Sequence, residues 1–218
     1  MMSLEDTGIL KTKAVDSFFV LAVRRILIQA IQTISSVLLA RLLFPDVFGF
    51  YALLLFFQGI FVLFTDIGLY MSIIQDKKEP TSAELRSIFT LHMLLGSISS
   101  IIFWFIVPVL FNLFNHPLDN RLLSIVQISC LALIFYNLKL IPQALLERVI
   151  NFKKIVIAEV TEILLFNICT VYLAINGFGA ASFIWGLLVS RFFTAVILFW
   201  LRPWKIGFSL KLSHLKRF

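Results

Sequence analysis

Charge is what this chain has least of. Only 14% of its 218 residues are Asp, Glu, Lys or Arg, against about 25% in a typical soluble domain, which is too little to clothe a water-facing surface. Cysteine is nearly absent too: Cys130 and Cys169 share no C-x-x-C spacing and lie far from any histidine cluster. Neither a disulfide framework nor a cysteine metal site follows from them. The three histidines, His92, His116 and His214, are widely separated, and no Ser-centred elbow, phosphate loop or metal-ligand spacing occurs. Gly177 and Gly179 read as a tight hairpin turn and not as a phosphate cradle. The chain is therefore expected to be no enzyme and to need no cofactor or metal. The first apolar stretch is expected to be a retained helix and not a cleavable leader, since it is too long, carries two arginines and lacks a small-residue cleavage site.

What fills the chain instead is apolar sequence, with 60% hydrophobic residues and 24 phenylalanines. Six stretches, Phe18 to Ala40, Phe50 to Ile74, Ile88 to Phe111, Leu122 to Leu146, Ile155 to Ile175 and Ala180 to Leu201, each reach the roughly 20 residues a helix needs to cross about 30 Å of hydrocarbon. The basic residues fall in alternate gaps. The gaps after stretches one, three and five hold only Arg41 and Arg121, whereas the N-terminal arm, the second and fourth gaps and the tail hold Lys77, Lys78, Arg86, Arg148, Lys153, Lys154, Arg202 and Lys205 among others. The positive-inside rule makes the latter cytoplasmic. The expected fold is an all-α polytopic membrane protein, a six-transmembrane-helix bundle with both ends inside. Residues 1–17 read as a cytoplasmic arm, 18–201 as the helical lobe and 202–218 as a cytoplasmic amphipathic segment. A net charge of +7 spread beside helix ends suits an anionic lipid leaflet and not nucleic acid. The three outer gaps are short and leave no room for an outer catalytic domain, while Thr81 with Glu84 three residues on has the spacing of a capping box opening the third helix.

Polar groups inside the membrane carry the functional information, because a charge at the centre of a spanning helix costs about 2.5 to 3.5 kcal/mol. Arg25, Gln29, Gln32 and Ser36 recur at helical spacing on one face of the first helix. That stripe either lines a wet cavity or packs against a neighbouring helix. Arg24 is close enough to the inner end to snorkel. Glu162 and Arg191 lie 15 and 14 residues from Gly177 on adjacent antiparallel helices, which is about 21 to 23 Å down each. Their matched depth predicts an ion pair. Asp66 shares the depth of Arg24 and Arg25 and is a candidate partner for either, while Glu159 reads as interfacial. Lys139 and Gln143 share a face one turn apart, and His92, Gly96 and Ser99 form a small-residue packing seam.

The segment ARLLFPDVFGFY (40–51), then FTDIGL (64–69), IPQALLERVINFKK (141–154) and GFG (177–179) resemble, in that order and spacing, Wzx-type polysaccharide flippases of the multidrug/oligosaccharidyl-lipid/polysaccharide (MOP) exporter superfamily. The resemblance covers nearly the whole chain. It implies a carrier that flips a polyprenyl-diphosphate-linked oligosaccharide across the bacterial inner membrane for cell-surface polysaccharide or lipopolysaccharide biosynthesis. Members of the family are built of two similar lobes, so the chain is expected to be equivalent to the N-terminal one, as a truncated or split half. A second lobe on a separate chain, or a homodimer, would complete it. Residues 203–218 then resemble the segment joining the lobes. In this reading Arg25, Gln29, Gln32 and Arg191 line the substrate path, with arginine forks suited to diphosphate and amides to sugar hydroxyls. A multidrug-type exporter half would draw instead on Asp66, Glu159 and Glu162. A non-transporting membrane scaffold is the remaining alternative.

Overall fold

A computed structural model describes residues 4–66, 68–76, 78–114 and 118–209, with side chains from residue 22 onward. The described residues form eight helices and no strand: α1 (Leu4–Leu42), α2 (Pro45–Thr65), α3 (Leu69–Gln75), α4 (Ser82–Leu113), α5 (Asn120–Ile128), α6 (Leu131–Arg148), α7 (Phe152–Ile175) and α8 (Ala181–Leu201). Among them are six segments long and apolar enough to cross a membrane: Ala22–Leu42, Pro45–Thr65, Ser82–Leu113, Asn120–Arg148, Phe152–Ile175 and Ala181–Leu201. The protein is thus a multi-pass, all-helical membrane protein. Helix α1 runs unbroken from Leu4, so no boundary appears at residue 18.

Three local features show how sequence sets these helices. Helix α2 opens at Pro45 with Phe44 extended before it, the placement in which a missing N–H does no harm. The apolar stretch expected to continue to Ile74 does not do so: α2 stops at Thr65, and Gly68 takes a left-handed φ of 82° ahead of α3. The Asp66 carboxylate accepts the Gly68 N–H at 3.3 Å and so closes the turn on itself. Helix α4 begins with the expected capping box, in which Thr81 Oγ1 accepts the Glu84 N–H at 3.3 Å and the Glu84 carboxylate accepts the Thr81 N–H at 2.7 Å.

The fourth span bends between α5 and α6. Tight i to i+3 bonds there, Ala132 N–H to Ser129 O at 2.9 Å and Leu133 N–H to Cys130 O at 3.0 Å, replace the regular helical ladder, and both carbonyls take a second donor from a neighbouring helix. Gln58 of α2 donates to Ser129 O at 3.2 Å, and Ser100 of α4 donates to Cys130 O at 2.9 Å.

Apolar packing is divided along the helices. One core gathers Phe50, Leu54 and Phe57 of α2, Phe103, Val107 and Phe111 of α4, Leu133 of α6 and Ile184 of α8. A second, toward the basic end, joins Ile73 of α3, Ile88 and Phe89 of α4 and Ile141 and Ala144 of α6. On α4 and α6 a layer of small and polar side chains separates them: His92, Gly96, Ser99, Ser100 and Asn137, all buried. Gly96 permits the approach, since a Cβ there would stand 2.5 Å from Asn137 Nδ2. The small-residue seam read from the sequence is therefore a packing surface.

At the basic end, side chains also fasten helix C-termini. Arg148 Nη1 donates to Ile73 O of α3 at 2.7 Å and Lys154 Nζ to Leu201 O of α8 at 2.9 Å, each bringing a cation to carbonyls that the helix leaves open. Residues 202–209 form no regular element and return across α4: Arg86 Nε donates to Lys205 O at 3.3 Å, and Trp204 and Phe208 pack on Phe89. Tyr70, on α3 outside the spans, is raised above its ordinary pKa by burial and by its hydrogen bond to the Glu147 carboxylate.

Candidate functional site

Helices α7 and α8 pair along their length through the Gly177–Gly179 turn; α1 lies on α7, and α6 packs against α8. This arrangement brings charges from four helices into one alternating series. Arg24 Nε of α1 stands 2.6 Å from Glu159 Oε2 of α7, and Lys139 Nζ of α6 stands 2.7 Å from Glu162 Oε2 of α7. Arg191 of α8 follows, within the field of Glu162, Tyr51 and Tyr136.

The pairing differs from the one that helix depth suggested. Glu162 bridges to Lys139 and not to Arg191, and Asp66 serves the turn at Gly68 while Arg24 goes to Glu159. Depth along a hairpin says nothing about a third helix, and α6 inserts its lysine between the two. Arg24 thus has a carboxylate partner and does not merely snorkel. Arg191 is held by neutral groups: Nη1 donates to Ala132 O at 3.2 Å, and the guanidinium carbon stands 5.8 Å from the centre of the Tyr136 ring. Among the described residues no carboxylate comes within 4.0 Å of it. With all five groups ionised, three cations face two anions, and the remaining positive charge belongs to Arg191.

Arg191 opens on a cavity of about 460 Å³ between α1, α2, α7 and α8, lined by Gln32 and Ser36 of α1, Tyr51 of α2, Glu162 and Asn167 of α7 and Ser190 beside it on α8. Its wall is aromatic, with Tyr51 stacked on Phe183 at 4.4 Å and on Phe166 at 5.8 Å. A smaller cavity of about 120 Å³ lies on the other side of Glu162, among Lys139, Gln143, Glu159 and Thr194.

Of the stripe read on α1, Gln32 and Ser36 reach the cavity, whereas Arg25 and Gln29 open on a separate groove along α1 with Thr33. Tyr51, Tyr136, Asn167 and Ser190 were not foreseen. Ser190 sits next to Arg191 and four residues before Thr194 on one helical face, a signal the sequence did hold. Tyr51 offered none, since nothing local sets one aromatic residue apart in so aromatic a chain. The cavity can accommodate a hydrated anionic group: a guanidinium for phosphoryl oxygens, with amides and hydroxyls for a polar remainder.

Residues 38–218 match the model of a family described as polysaccharide biosynthesis protein. No curated protein and no solved structure matches the chain. The matched range contains all four segments that carry the resemblance noted above, as well as α2 to α8 and the cavity's lining apart from Gln32 and Ser36, and it fits a Wzx-type half of a MOP exporter. The chain belongs to the polysaccharide biosynthesis protein family.

Proposed function

We propose that this protein is a carrier, not an enzyme, and that it forms one side of the path by which the head group of a polyprenyl-diphosphate-linked oligosaccharide crosses the bacterial inner membrane. A second lobe supplies the other side. The observation that carries this reading is Arg191, a half-buried guanidinium deep in a spanning helix that faces a cavity with no carboxylate partner among the described residues. A cation so placed is costly unless something offsets it, and a diphosphate matches its bidentate donors. Neighbouring Gln32, Ser36, Asn167 and Ser190 provide the donors and acceptors that a hydrated sugar needs. A cation-exporting cavity would leave its acids open, but Glu159 and Glu162 are both engaged by basic residues.

The test is polysaccharide export in cells whose only copy of the protein is a variant, with its membrane level measured alongside. Losing a charge-assisted contact of about 1.5 to 3 kcal/mol predicts a roughly tenfold or greater fall for Arg191→Ala, with partial retention in Arg191→Lys, since an ammonium cannot reproduce the fork. Gln32→Ala is expected to impair export more than Arg25→Ala, because only Gln32 borders the cavity. Normal export by a stably inserted Arg191→Ala protein would remove the path from this lobe and leave a scaffold.

A further inference from the structure

We propose that Lys139 and Tyr136 are positioning residues which keep Arg191 available to an anionic head group by holding Glu162 away from it. This rests on the reading of Arg191 given above and names the device that makes it work. Glu162 and Arg191 lie at matched depth on adjoining helices, so the default outcome of burying both is a bridge that neutralises the cation. The structure avoids that outcome with a single face of α6. Ala132, Tyr136, Lys139 and Gln143 follow at spacings of four, three and four, which places them in one row. The Ala132 carbonyl accepts from Arg191 at 3.2 Å, and the Lys139 ammonium takes Glu162 at 2.7 Å. The Tyr136 ring lies 5.7 Å from Lys139 Nζ and 5.8 Å from the Arg191 guanidinium carbon, so one ring offers its negative face to both cations.

Every charged group around Glu162 has a place in this scheme. Arg24 of α1 is spent on Glu159, Lys139 is the α6 cation, and Arg191 is the α8 cation. Glu162 borders both the larger and the smaller cavity, so its carboxylate can turn toward either one. Without Lys139 it would be an uncompensated acid in a low-dielectric setting, a costly state. Arg191 is the cation left to receive it. Lys139 therefore contributes by competition and need not touch the substrate.

The prediction is a rescue that a merely structural role would not produce. Lys139→Met should lower export about tenfold at an unchanged membrane level, and Lys139→Met with Glu162→Gln should recover most of it, because the acid that captures Arg191 is gone. Tyr136→Phe should export normally and Tyr136→Leu poorly. Thermal stability in detergent with and without millimolar inorganic pyrophosphate gives a readout free of transport. Pyrophosphate should raise the melting temperature of the unsubstituted protein, of Tyr136→Phe and of the double variant, but not that of Lys139→Met or Arg191→Ala. A double variant as inactive as Lys139→Met, normal export by Lys139→Met, or equal behaviour of Tyr136→Leu and Tyr136→Phe would each overturn the proposal. If Lys139→Met fails to reach the membrane, the two Tyr136 variants and the pyrophosphate shift decide it. Normal export by Arg191→Ala would instead overturn the underlying path, which separates the two failures.

Discussion

At the scale of single residues, the membrane interior turns small side chains into structural requirements. Gly186 of α8 faces α7 so closely that a Cβ would meet Thr170 Oγ1 at 2.2 Å and Phe166 O at 3.1 Å. Helices in lipid gain little from hydrophobicity and depend on such approach for dispersion contact. Gly186→Ala is therefore expected to destabilise the α7–α8 pair by about 1 to 3 kcal/mol, the usual cost of overpacking. Adding Thr170→Ala should restore part of it by removing the nearer atom. The check is thermal unfolding in detergent, and a double variant no more stable than Gly186→Ala would show that the backbone oxygen, not the hydroxyl, sets the limit. The charges obey a different rule. Arg24, Lys139, Glu159 and Glu162 neutralise one another, and the functional information lies in the residue that the series leaves over.

At the scale of elements, irregular backbone survives in this bundle where a side chain from another helix satisfies it. The α5–α6 bend is held by Gln58 from α2 and Ser100 from α4. Gln58 itself is buried in an otherwise apolar helix. Gln58→Leu preserves size and hydropathy for insertion but leaves the Ser129 carbonyl and hydroxyl without this donor. A loss of about 0.5 to 1.5 kcal/mol is expected, the net worth of an intramolecular hydrogen bond, since Ser129 O keeps the Ala132 N–H and the Ser129 hydroxyl keeps Val126 O. It would be read as a lowered melting temperature with unchanged membrane insertion; an unaltered melting temperature would mean that the bend needs no help from α2. The break between α2 and α3 is local by contrast, because Asp66 and Gly68 close it without outside partners.

At the scale of the whole molecule, the bundle has a basic end and a nearly uncharged one. The basic residues at the first end do more than meet lipid: Arg86 ties α4 to segment 202–209, Arg148 ties α6 to α3, and Lys154 ties α7 to α8. By the positive-inside rule that end is expected on the cytoplasmic side. In a cysteine-free background, single cysteines at Arg121 and Asn176 should accordingly react with an impermeant reagent added outside intact cells. Those at Lys78 and Lys153 should react only after the membrane is opened, and outside labelling at Lys78 would invert or break the six-span arrangement. The polar cavity spans the seam between α1, α2, α7 and α8, so removing α1, α2 or α7 would open the side of it that Arg191 of α8 faces.

Length and hydropathy in the sequence alone determined the class and the six spans, because crossing a bilayer constrains every segment separately. The Thr81–Glu84 cap and the small seam at Gly96 were legible for a similar reason, as both depend on residues a turn or two apart. Helical spacing also picked out the deep polar residues, of which Arg191 and Gln32 line one cavity. Ion-pair partners were not legible. They depend on rotation about each helix axis and on which third helix lies alongside, and neither is encoded in depth along a hairpin. Only the packing of α6 against both α7 and α8 brought Lys139 to Glu162 and left Arg191 facing the cavity. Tyr51 and Tyr136 likewise acquired their roles through neighbours supplied by other helices, as did Gln58, whose partner lies 71 residues away.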